Sequence, residues 1–412
     1  MNVKLVGHHV GGRNATVSFL PPRVFQRDFV SVLYDADPEC VEQILEKTAD
    51  RPYAVKAFPY CLGAGEGSAT FNINYCSYTS SMLDLNDRYA RFYEFTEPMD
   101  YVFGDTLRTM ERIPVKVIDL DSVIANDPDV PPPDFLSLDV EGAEIAVLNG
   151  AKKTLDSNVL GLVTEITFHE IRKGQSLFDN VRPLLDKAGF DFVRFTYLHD
   201  FSPTRGPVGA RGKGYQLNGD ALFIRRLDTL AAMSPDAAEQ YGLAVKLAFI
   251  AVTWGLLEYA GEVYAWAQNL GVVAGERRAV DETTYGRFMT RLQTAVQGLR
   301  IGYPPIFSEL MNYETSRSRS RPVNINTHTG WKFELKEWLL ARPVLLGSLR
   351  KARYALWDVR DLVNRAGSMF FRMMQPRHSP VERVLVEHGF SDLAAQVRKR
   401  RLAEQPYARA AK

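Results

Sequence analysis

The stretch DFLSLDVEGAEIAVL, residues 134–148, decides the fold of this chain. Its first part, Phe135–Leu138, is mostly apolar and follows three prolines, which predicts a short buried strand. Asp139 and Glu141 come directly after it, and residues 143–148 have the composition and spacing of a helix. Two carboxylates at the tip of a buried strand are unfavourable unless something pairs or uses them, and ligands of open α/β sheets bind outside such tips. We therefore expect a functional site here. Helix capping is the plainer alternative, and it would account for one of the two carboxylates.

The composition is that of an ordinary folded protein of about two to three domains, with 412 residues, 46% of them hydrophobic and 24% charged. The net charge of +1 gives no overall basic field, so we expect no nucleic-acid partner. The three cysteines have neither zinc-ligand spacing nor an even number for pairing, which favours a reducing compartment. The N-terminus lacks a signal-peptide pattern, and the longest uncharged apolar run, residues 247–257, is too short to span a bilayer. These features predict a cytoplasmic protein.

Earlier strands also end on residues suited to a ligand. Residues 3–6 predict a first strand, and the glycines after it would let a ligand approach the backbone closely. A second predicted strand, Phe29–Tyr34, ends on acidic residues, which at this place hold the hydroxyls of a nucleoside ribose. Two consecutive prolines, 21 and 22, imply that the crossover helix between the two strands is short or broken. A third predicted strand, residues 54–58, leads to a tip at residues 61–63. The predicted cofactor-binding residues are Gly11, Gly12, Asp35, Asp37, Cys61 and Leu62.

Strands alternate with helices as far as about residue 227, which predicts one α/β domain, residues 1–227. Residues 160–166 predict a buried strand that carries Glu165, with His169 four residues further on. Residues 178–188 predict an amphipathic helix, and residues 190–195 and 221–225 a closing antiparallel pair of strands. The loop between them, residues 201–214, is rich in Gly, Pro and Arg and would act as a lid.

The chain changes character in residues 228–412, which predict a helical C-terminal extension without strong strand patterns. Residues 232–270 predict a helical hairpin, and residues 312–322 a charged link. From residue 341 onward there are 15 Lys or Arg against 6 Asp or Glu, and apolar residues recur every seven positions from Leu349 to Phe370. We expect this basic amphipathic helix to pack on its own protein or on a sister subunit in a homo-oligomer. Peripheral contact with a membrane is the alternative.

Several of these motifs together resemble the FkbM-type methyltransferase family. PDFLSLDVEGAEIAVLNGA (residues 133–151) resembles the core signature of that family, and LYDADPE (33–39) its acidic second-strand motif. CLGAGEGSATF (61–71) with TSSM (79–82) resembles its third-strand region, and VTEITFHE (163–170) the strand after the core. The resemblance covers residues 1 to about 200. It implies a Rossmann-like class I methyltransferase sheet with helices on both faces, S-adenosylmethionine as cofactor, and O-methylation of a hydroxyl on a sugar, glycan or secondary metabolite.

Methyl transfer to an alcohol requires the acceptor oxygen and the methyl group in line, and it benefits from a base that removes the hydroxyl proton. Asp139 is the first candidate for this base or for orienting the acceptor. Glu141, Glu165 and His169 are the further catalytic candidates, because neighbouring strand tips bring them toward the same crevice. Carboxylates could hold Mg²⁺, but no spacing in the sequence demands it, so we predict no metal site.

Two other functional classes stay open. One is a degenerate methyltransferase fold that serves as a binding module, which would suit His9, because the family has an acidic residue just before its glycines where this chain has that histidine. The other is a nucleotide-sugar-modifying enzyme that uses the glycine loop and Asp35 for a dinucleotide. The glycines do not have the G-x-G-x-x-G spacing, which disfavours this second class.

Overall fold

The computed structural model describes residues 3–11, 18–94, 100–207, 213–299 and 379–410, with the backbone alone for 402–410. Within these residues the strands form a nine-stranded sheet and a three-stranded sheet. In chain order they are β1 (Leu5–Val10), β2 (Phe29–Tyr34), β3 (Ala54–Phe58), β4 (Cys61–Leu62), β5 (Gly67–Asn74), β6 (Tyr93–Glu94), β7 (Tyr101–Val102), β8 (Thr109–Ile118), β9 (Phe135–Leu138), β10 (Gly161–Thr167), β11 (Phe190–Ser202) and β12 (Tyr215–Arg225).

The large sheet has the order β3-β2-β1-β9-β10-β12-β11-β6-β7. The five strands from β3 to β10 are parallel, whereas β12 runs antiparallel to both β10 and β11. From β1 the chain first builds outward through β2 and β3, and it later returns to the other side of β1 with β9. The carboxyl ends of β1 and β9 therefore flank the topological switch point, where ligands bind in such sheets. This is the Rossmann-like α/β sheet that the sequence predicts.

Helices connect these strands and extend beyond them. They are α1 (Pro38–Thr48), α2 (Phe103–Thr106), α3 (Leu120–Asn126), α4 (Glu144–Asn149), α5 (Lys152–Ser157), α6 (Phe178–Lys187), α7 (Leu227–Leu230), α8 (Ala237–Thr253), α9 (Leu257–Gln268), α10 (Ala274–Asp281) and α11 (Thr284–Gln297). In the described part of the connection before β2, residues 18–28, the chain forms a 3-10 helix, Arg23–Asp28, directly after the two prolines. The predicted helical hairpin of residues 232–270 is confirmed by α8 and α9.

The first strand differs from its prediction. β1 does not end at Val6 but continues to Val10, and all six of its residues are buried. Gly7 lies inside the strand, where a Cβ would approach the Phe29 ring to 3.1 Å. The glycine loop therefore begins at Gly11, and His8 and His9 belong to the buried strand.

The helices after residue 227 supply buried contacts to the large sheet. Lys246 of α8 donates two hydrogen bonds of 2.9 Å to the carboxylate of Asp134, and both side chains are almost fully buried. Asp134 also accepts a 2.8 Å hydrogen bond from the backbone N–H of Val6. Trp254, just after α8, stacks on Phe135 of β9 with ring centroids 6.0 Å apart. A compact unit thus runs from residue 1 to 294, and the domain boundary near residue 227 stays a prediction.

The three-stranded sheet, of order β4-β8-β5, covers the switch point. β8 pairs in parallel with β4 and antiparallel with β5. β4 directly follows the third strand of the large sheet, so the small sheet begins at a strand tip. This arrangement places apolar side chains of β5 and β8 opposite the carboxyl ends of β1 and β2.

A second compact unit comprises residues 295–387 and 391–412, and residues 388–390 belong to the first unit. Its described helices are Pro380–Glu387 and Ser391–Ala410, and Arg401 forms a 2.6 Å ion pair with the buried Glu382. The predicted charged link at residues 312–322 and the seven-residue recurrence from Leu349 to Phe370 lie outside the described residues. Among the helices that are described, none has the length and apolar character needed to span a bilayer.

Candidate active site

The larger of two adjoining cavities lies at the switch point and has a volume of about 470 Å³. The ends of β1, β2 and β9 line one side of it, and strands β4, β5 and β8 of the small sheet line the other. Five of the six predicted cofactor-binding residues line it, namely Gly11, Asp35, Asp37, Cys61 and Leu62. The sixth, Gly12, lies outside the described residues.

Gly11 makes the turn that opens this cavity. Its φ of +94° is in the left-handed region, and a Cβ at this position would lie 1.9 Å from the backbone oxygen of Asp139. The Gly11 N–H donates a 3.2 Å hydrogen bond to the carbonyl of Tyr34, and the Asp139 N–H donates one of 3.0 Å to the carbonyl of Val10. Only glycine fits here, and the tips of β1, β2 and β9 are held together at this point.

The two acidic residues after β2 have different surroundings. Asp37 is the N-cap of α1, where its carboxylate accepts a 3.0 Å hydrogen bond from the Glu39 N–H. Asp35 accepts a 3.0 Å hydrogen bond from the Asp37 N–H through one carboxylate oxygen. Asp37 therefore organises the loop, and both residues line the cavity.

The two histidines of β1 are buried and neutral. Burial lowers the pKa of His8 to about 3 and that of His9 to about 4, although a backbone carbonyl opposes the shift in each case. His8 donates from Nε2 to the Pro131 carbonyl and therefore accepts from the Tyr34 hydroxyl at Nδ1. His9 lines the larger cavity and contacts Ser137 Oγ at 2.9 Å through Nδ1, and its buried Nε2 has no hydrogen-bond partner within the described residues.

The far side of the larger cavity is apolar. Leu62, at the end of β4, is almost fully buried, and the neighbouring Cys61 is a neutral thiol because burial and the charge of Asp35 raise its pKa to about 11. Side chains from β5, β8 and the intervening segment complete this wall, namely Phe71, Ile73, Tyr78, Met82 and Ile113. The cavity thus offers an acidic end at β2 and an apolar end beneath the small sheet.

The smaller cavity, of about 250 Å³, adjoins the larger one, and Asp139 and Glu141 line both. Its other polar side chains come from the segment that follows β5, from β6, β10, β11 and β12, and from the segment that follows β10. They are Thr79, Glu94, Glu165, Thr167, Arg172, Gln175, His199, Asn218 and Asp220. Glu165 and Asp139 thus line the same cavity.

Asp139 stands at the boundary between the two cavities. Its carboxyl group is open to the cavity, and no hydrogen bond to it is found from the described residues. Desolvation at this depth, together with the charges of Glu141, Glu144 and Asp220, raises its pKa to about 8, and Arg172 opposes the shift. These neighbours therefore favour the protonated form of the carboxyl group when no ligand is bound.

The loop after Asp139 is built around Glu141, Gly142 and Glu144. Glu141 has a φ of 54°, the only positive value among the described non-glycine residues, and Gly142 has a φ of 105°. The Glu144 carboxylate accepts 3.1 Å hydrogen bonds from the N–H groups of Val140 and Gly142. The capping alternative is therefore wrong for Glu141, because Glu144 closes the loop and Glu141 is free to reach the cavity.

Glu141 is paired with Arg172, a residue that the sequence gives no reason to select. The buried Arg172 guanidinium donates from Nη2 to the Glu141 carboxylate and, at 2.9 Å, to the Thr79 carbonyl. Its other terminal nitrogen, Nη1, is buried and has no hydrogen-bond partner within the described residues. This nitrogen is a donor available to a ligand oxygen.

Glu165 faces β12 across the sheet. Its Cα partner in the antiparallel pair is Asp220, so two carboxyl groups lie directly opposite each other. Burial, together with the charges of Glu141, Asp139 and Glu144, raises the pKa of Glu165 well above its usual range. Asn218 donates to Glu165 at 2.8 Å, and its own Oδ1 is buried without a partner in the described part of the chain.

His199 and Glu94 form a second pair that the sequence does not reveal. The Nδ1 of His199 on β11 hydrogen-bonds to the Glu94 carboxylate on β6, and both side chains line the smaller cavity. A carboxylate only accepts hydrogen bonds, so Nδ1 carries the proton. The predicted candidate His169 lines neither cavity and lies 3.3 Å from the Tyr89 hydroxyl instead, because β10 ends at Thr167.

A metal site is not evident at this position. Among the described residues, no group of three or more His, Cys, Asp and Glu side chains has the arrangement needed to hold an ion. Three of the carboxyl groups of the smaller cavity have other partners: Arg172 pairs with Glu141, His199 with Glu94, and Asn218 donates to Glu165.

Two solved structures are similar in part. The crystal structure of magnesium protoporphyrin IX methyltransferase from Synechocystis PCC 6803 with bound S-adenosylmethionine has 10% sequence identity and a TM-score of 0.27, covering 55% of this chain and 72% of that chain. The methyltransferase FkbM from Methylobacillus flagellatus KT has 12% identity and a TM-score of 0.29, covering 54% of this chain and 44% of that chain. No curated protein matches the chain significantly.

A sequence model of the methyltransferase FkbM domain matches residues 6–192. The matched segment runs from β1 into β11 and contains every site residue that the sequence predicts. His199, Asn218 and Asp220, which complete the smaller cavity, lie beyond its end. The resemblance to the FkbM-type methyltransferase family is therefore confirmed over residues 6–192.

Proposed function

We propose that this chain transfers the methyl group of S-adenosylmethionine to a hydroxyl group of an acceptor bound in the smaller cavity. The observation that carries the proposal is that two cavities adjoin at the switch point and share Asp139 and Glu141. In-line transfer needs the donor and the acceptor on opposite sides of one point. This arrangement supplies such a point at the tip of β9.

The larger cavity suits the cofactor. Its volume of about 470 Å³ falls in the usual range of roughly 300–1,000 Å³ for small-molecule sites. Asp35 at the end of β2 is placed to accept hydrogen bonds from the ribose hydroxyls, and Gly11 lets the ligand approach the backbone of β1. The apolar wall beneath the small sheet suits the adenine ring, and the sulfonium would lie toward Asp139.

The smaller cavity suits an uncharged hydroxyl-bearing acceptor, such as a sugar, a glycan or a secondary metabolite. Arg172 Nη1 needs a hydrogen-bond acceptor and Asn218 Oδ1 needs a donor. A hydroxyl group supplies both. Most of the carboxyl groups around them carry raised pKa values or cationic partners, which fits a neutral ligand better than an anionic one.

Asp139 is the proposed base, because it is the carboxyl group that both cavities share and that no other described residue hydrogen-bonds. Glu165 holds the acceptor from the floor of the smaller cavity. Glu141 fixes Arg172, and the pair positions the acceptor. His169 is left out of the proposed mechanism because it lines neither cavity.

A cytoplasmic location is supported by Cys40, Cys61 and Cys76, which are all described and form no disulfide.

The proposal is tested by thermal melting with S-adenosylhomocysteine, NAD and UDP in parallel. A ligand that binds the folded state raises the free energy of unfolding by mass action, by about 2.7 kcal/mol at a hundred times its Kd, and thereby raises the melting temperature. We expect stabilisation by S-adenosylhomocysteine alone. Stabilisation by NAD or UDP instead would favour a nucleotide-sugar enzyme. Binding of S-adenosylmethionine without its turnover on any hydroxyl acceptor would favour a binding module.

A further inference from the structure

We propose that Asp139 senses the charge of the cofactor: S-adenosylmethionine binds with release of the Asp139 proton, whereas S-adenosylhomocysteine binds without it. This inference rests on the proposed function. It makes Asp139 a specificity-determining residue that distinguishes the sulfonium of the substrate from the neutral thioether of the product. The same proton release leaves the base unprotonated when the methyl donor is bound.

The position of Asp139 carries the argument. It lines both cavities, so the transferred methyl group has to pass beside it. Its backbone is fixed on two sides, by the 3.0 Å hydrogen bond from its N–H to the Val10 carbonyl and by the close approach of Gly11 to its carbonyl oxygen. Its carboxyl group faces the cavities, with no hydrogen bond from the described residues. The carboxyl group is therefore held at the boundary and is available to a ligand.

Among the described residues, the charged groups that act on Asp139 are mostly negative. Glu141, Glu144 and Asp220 act on it from the following loop, from α4 and from β12, and all three oppose its ionisation. Arg172 favours ionisation, but its guanidinium is already paired with Glu141. Glu165 on β10, Asp35 on β2 and the Glu94–His199 pair line the same cavities. Desolvation and the charges of Glu141, Glu144 and Asp220 raise the pKa of Asp139 to about 8, which favours the protonated carboxyl group when no ligand is bound.

A sulfonium next to this carboxyl group reverses the balance. An opposite charge within roughly 4–6 Å lowers a carboxyl pKa by about 1–3 units. The charged cofactor therefore favours the Asp139 carboxylate, and the proton leaves to solvent. The product cofactor has a neutral sulfur and exerts no such pull. Cofactor and product thus differ in the protonation state of the site that they prefer.

The proton and charge balance of the reaction follows from this. The acceptor oxygen forms a bond to the methyl carbon while the carbon–sulfur bond breaks, and its electron pair stays on sulfur. The hydroxyl proton moves to the Asp139 carboxylate. The site then holds a neutral thioether and a protonated Asp139, which is the form that the surrounding carboxyl groups favour. The proton departs only when the next sulfonium binds, so release accompanies cofactor binding and not the chemical step.

The test is calorimetric titration of the full chain with S-adenosylmethionine and with S-adenosylhomocysteine from pH 6 to pH 9, in buffers of different ionisation enthalpy. The ratio of the two affinities is the quantity to follow, because the α-amino group is common to both ligands and titrates in this range. We expect the affinity for S-adenosylmethionine relative to that for S-adenosylhomocysteine to rise with pH, by up to about tenfold per pH unit. The rise should level off near pH 8. One more proton should be released with S-adenosylmethionine than with the product.

Two variants isolate the residue. Asp139→Asn keeps the shape of the side chain and removes its proton exchange, so the affinity ratio should become independent of pH. Glu165→Gln is the matched control, because Glu165 also has a raised pKa but lines only the smaller cavity. In that variant the pH dependence of the ratio should persist.

The possible outcomes separate the two proposals. Failure of both cofactor forms to bind would overturn the proposed function itself. Binding of both with a ratio that does not change with pH, or a ratio that changes equally in wild type and Asp139→Asn, would overturn the inference and leave the proposed function standing. Loss of the pH dependence in Glu165→Gln but not in Asp139→Asn would assign the proton to Glu165 instead.

Discussion

Gly11 and Asp139 are in backbone contact, so closely that a Cβ on Gly11 would lie 1.9 Å from the Asp139 carbonyl oxygen. Gly11 begins the loop after β1, and Asp139 is the first residue after β9. The loop at the proposed cofactor cavity and the residue at the proposed reaction centre therefore fix each other's position. A change at either residue should be felt at the other.

The first prediction concerns Gly11→Ala. The new Cβ would clash with the Asp139 carbonyl oxygen, and alanine tolerates the φ of +94° poorly, with a strain on the order of 1–3 kcal/mol. We expect calorimetry to show loss of S-adenosylhomocysteine binding together with a lower melting temperature. Gly65→Ala is the control, because nothing lies within 4 Å of the Cβ it would add. Equal affinity of the two variants for S-adenosylhomocysteine would show that the contact between Gly11 and Asp139 does not contribute to the cofactor site.

The second prediction concerns Asp35→Ala. Loss of a charged hydrogen-bond partner typically costs about 1.5–3 kcal/mol, so S-adenosylmethionine affinity should fall by roughly tenfold or more. Asp37→Ala provides the contrast, because Asp37 caps α1, and its loss should lower stability by about 1 kcal/mol with a smaller effect on affinity. Titration of both variants measures the difference. Unchanged affinity in Asp35→Ala would remove this residue from the cofactor site.

The residues that the sequence could identify are those that stand at the tips of parallel strands. Asp35, Leu62, Asp139 and Glu165 each occur in or just after a short apolar run, and parallel strands bring such tips to one edge of the sheet. Their grouping in two adjoining cavities follows from that rule. The end of β1 was harder to place, because Gly7, His8 and His9 look like a loop yet are buried in the strand.

The residues that the sequence could not identify come from antiparallel pairing and from loops. Asn218 and Asp220 reach the site only because β12 runs back along β10, with Asp220 opposite Glu165. Their spacing of two residues, which places both side chains on one face of a strand, was the available signal. Arg172 and His199 gave no such signal, since their partners Glu141 and Glu94 are 31 and 105 residues away in the chain.

The third prediction concerns the pH dependence of stability in Glu165→Gln. The pKa of Glu165 is raised in the folded state by burial and by neighbouring carboxyl groups. Its contribution to stability is therefore full below about pH 4.5, the ordinary glutamate value, and is lost as the pH rises above it. Glutamine keeps the hydrogen bond from Asn218 and cannot ionise. We expect the melting temperature of the variant, relative to that of wild type, to increase progressively as the pH rises above 4.5.

A control for this prediction is Glu42→Gln, an exposed position on α1. Its melting temperature should follow that of wild type at every pH. A Glu165→Gln curve that runs parallel to wild type would mean that Glu165 ionises in the folded protein as readily as in the unfolded one.

The last prediction concerns Lys246→Met on α8. Lys246 is the cationic partner of the buried Asp134 carboxylate, and its loss leaves that charge uncompensated, which typically costs about 3–5 kcal/mol. Burial already raises the pKa of Asp134, and Lys246 opposes the shift. Without the lysine the carboxyl group should take up a proton more readily, so the destabilisation should be smaller at pH 5 than at pH 8.

Thermal melting at the two pH values measures this effect, with the exposed Lys47→Met on α1 as the matched control. The double variant Asp134→Asn with Lys246→Met should recover much of the lost stability, because asparagine can still accept the hydrogen bond from the Val6 N–H. If Lys246→Met and Lys47→Met have the same melting temperature, the ion pair does not stabilise the packing of α8 on the sheet. The predicted domain boundary near residue 227 would then be acceptable. If it melts far lower, a chain shortened after residue 227 should fail to fold, because it lacks a partner for Asp134.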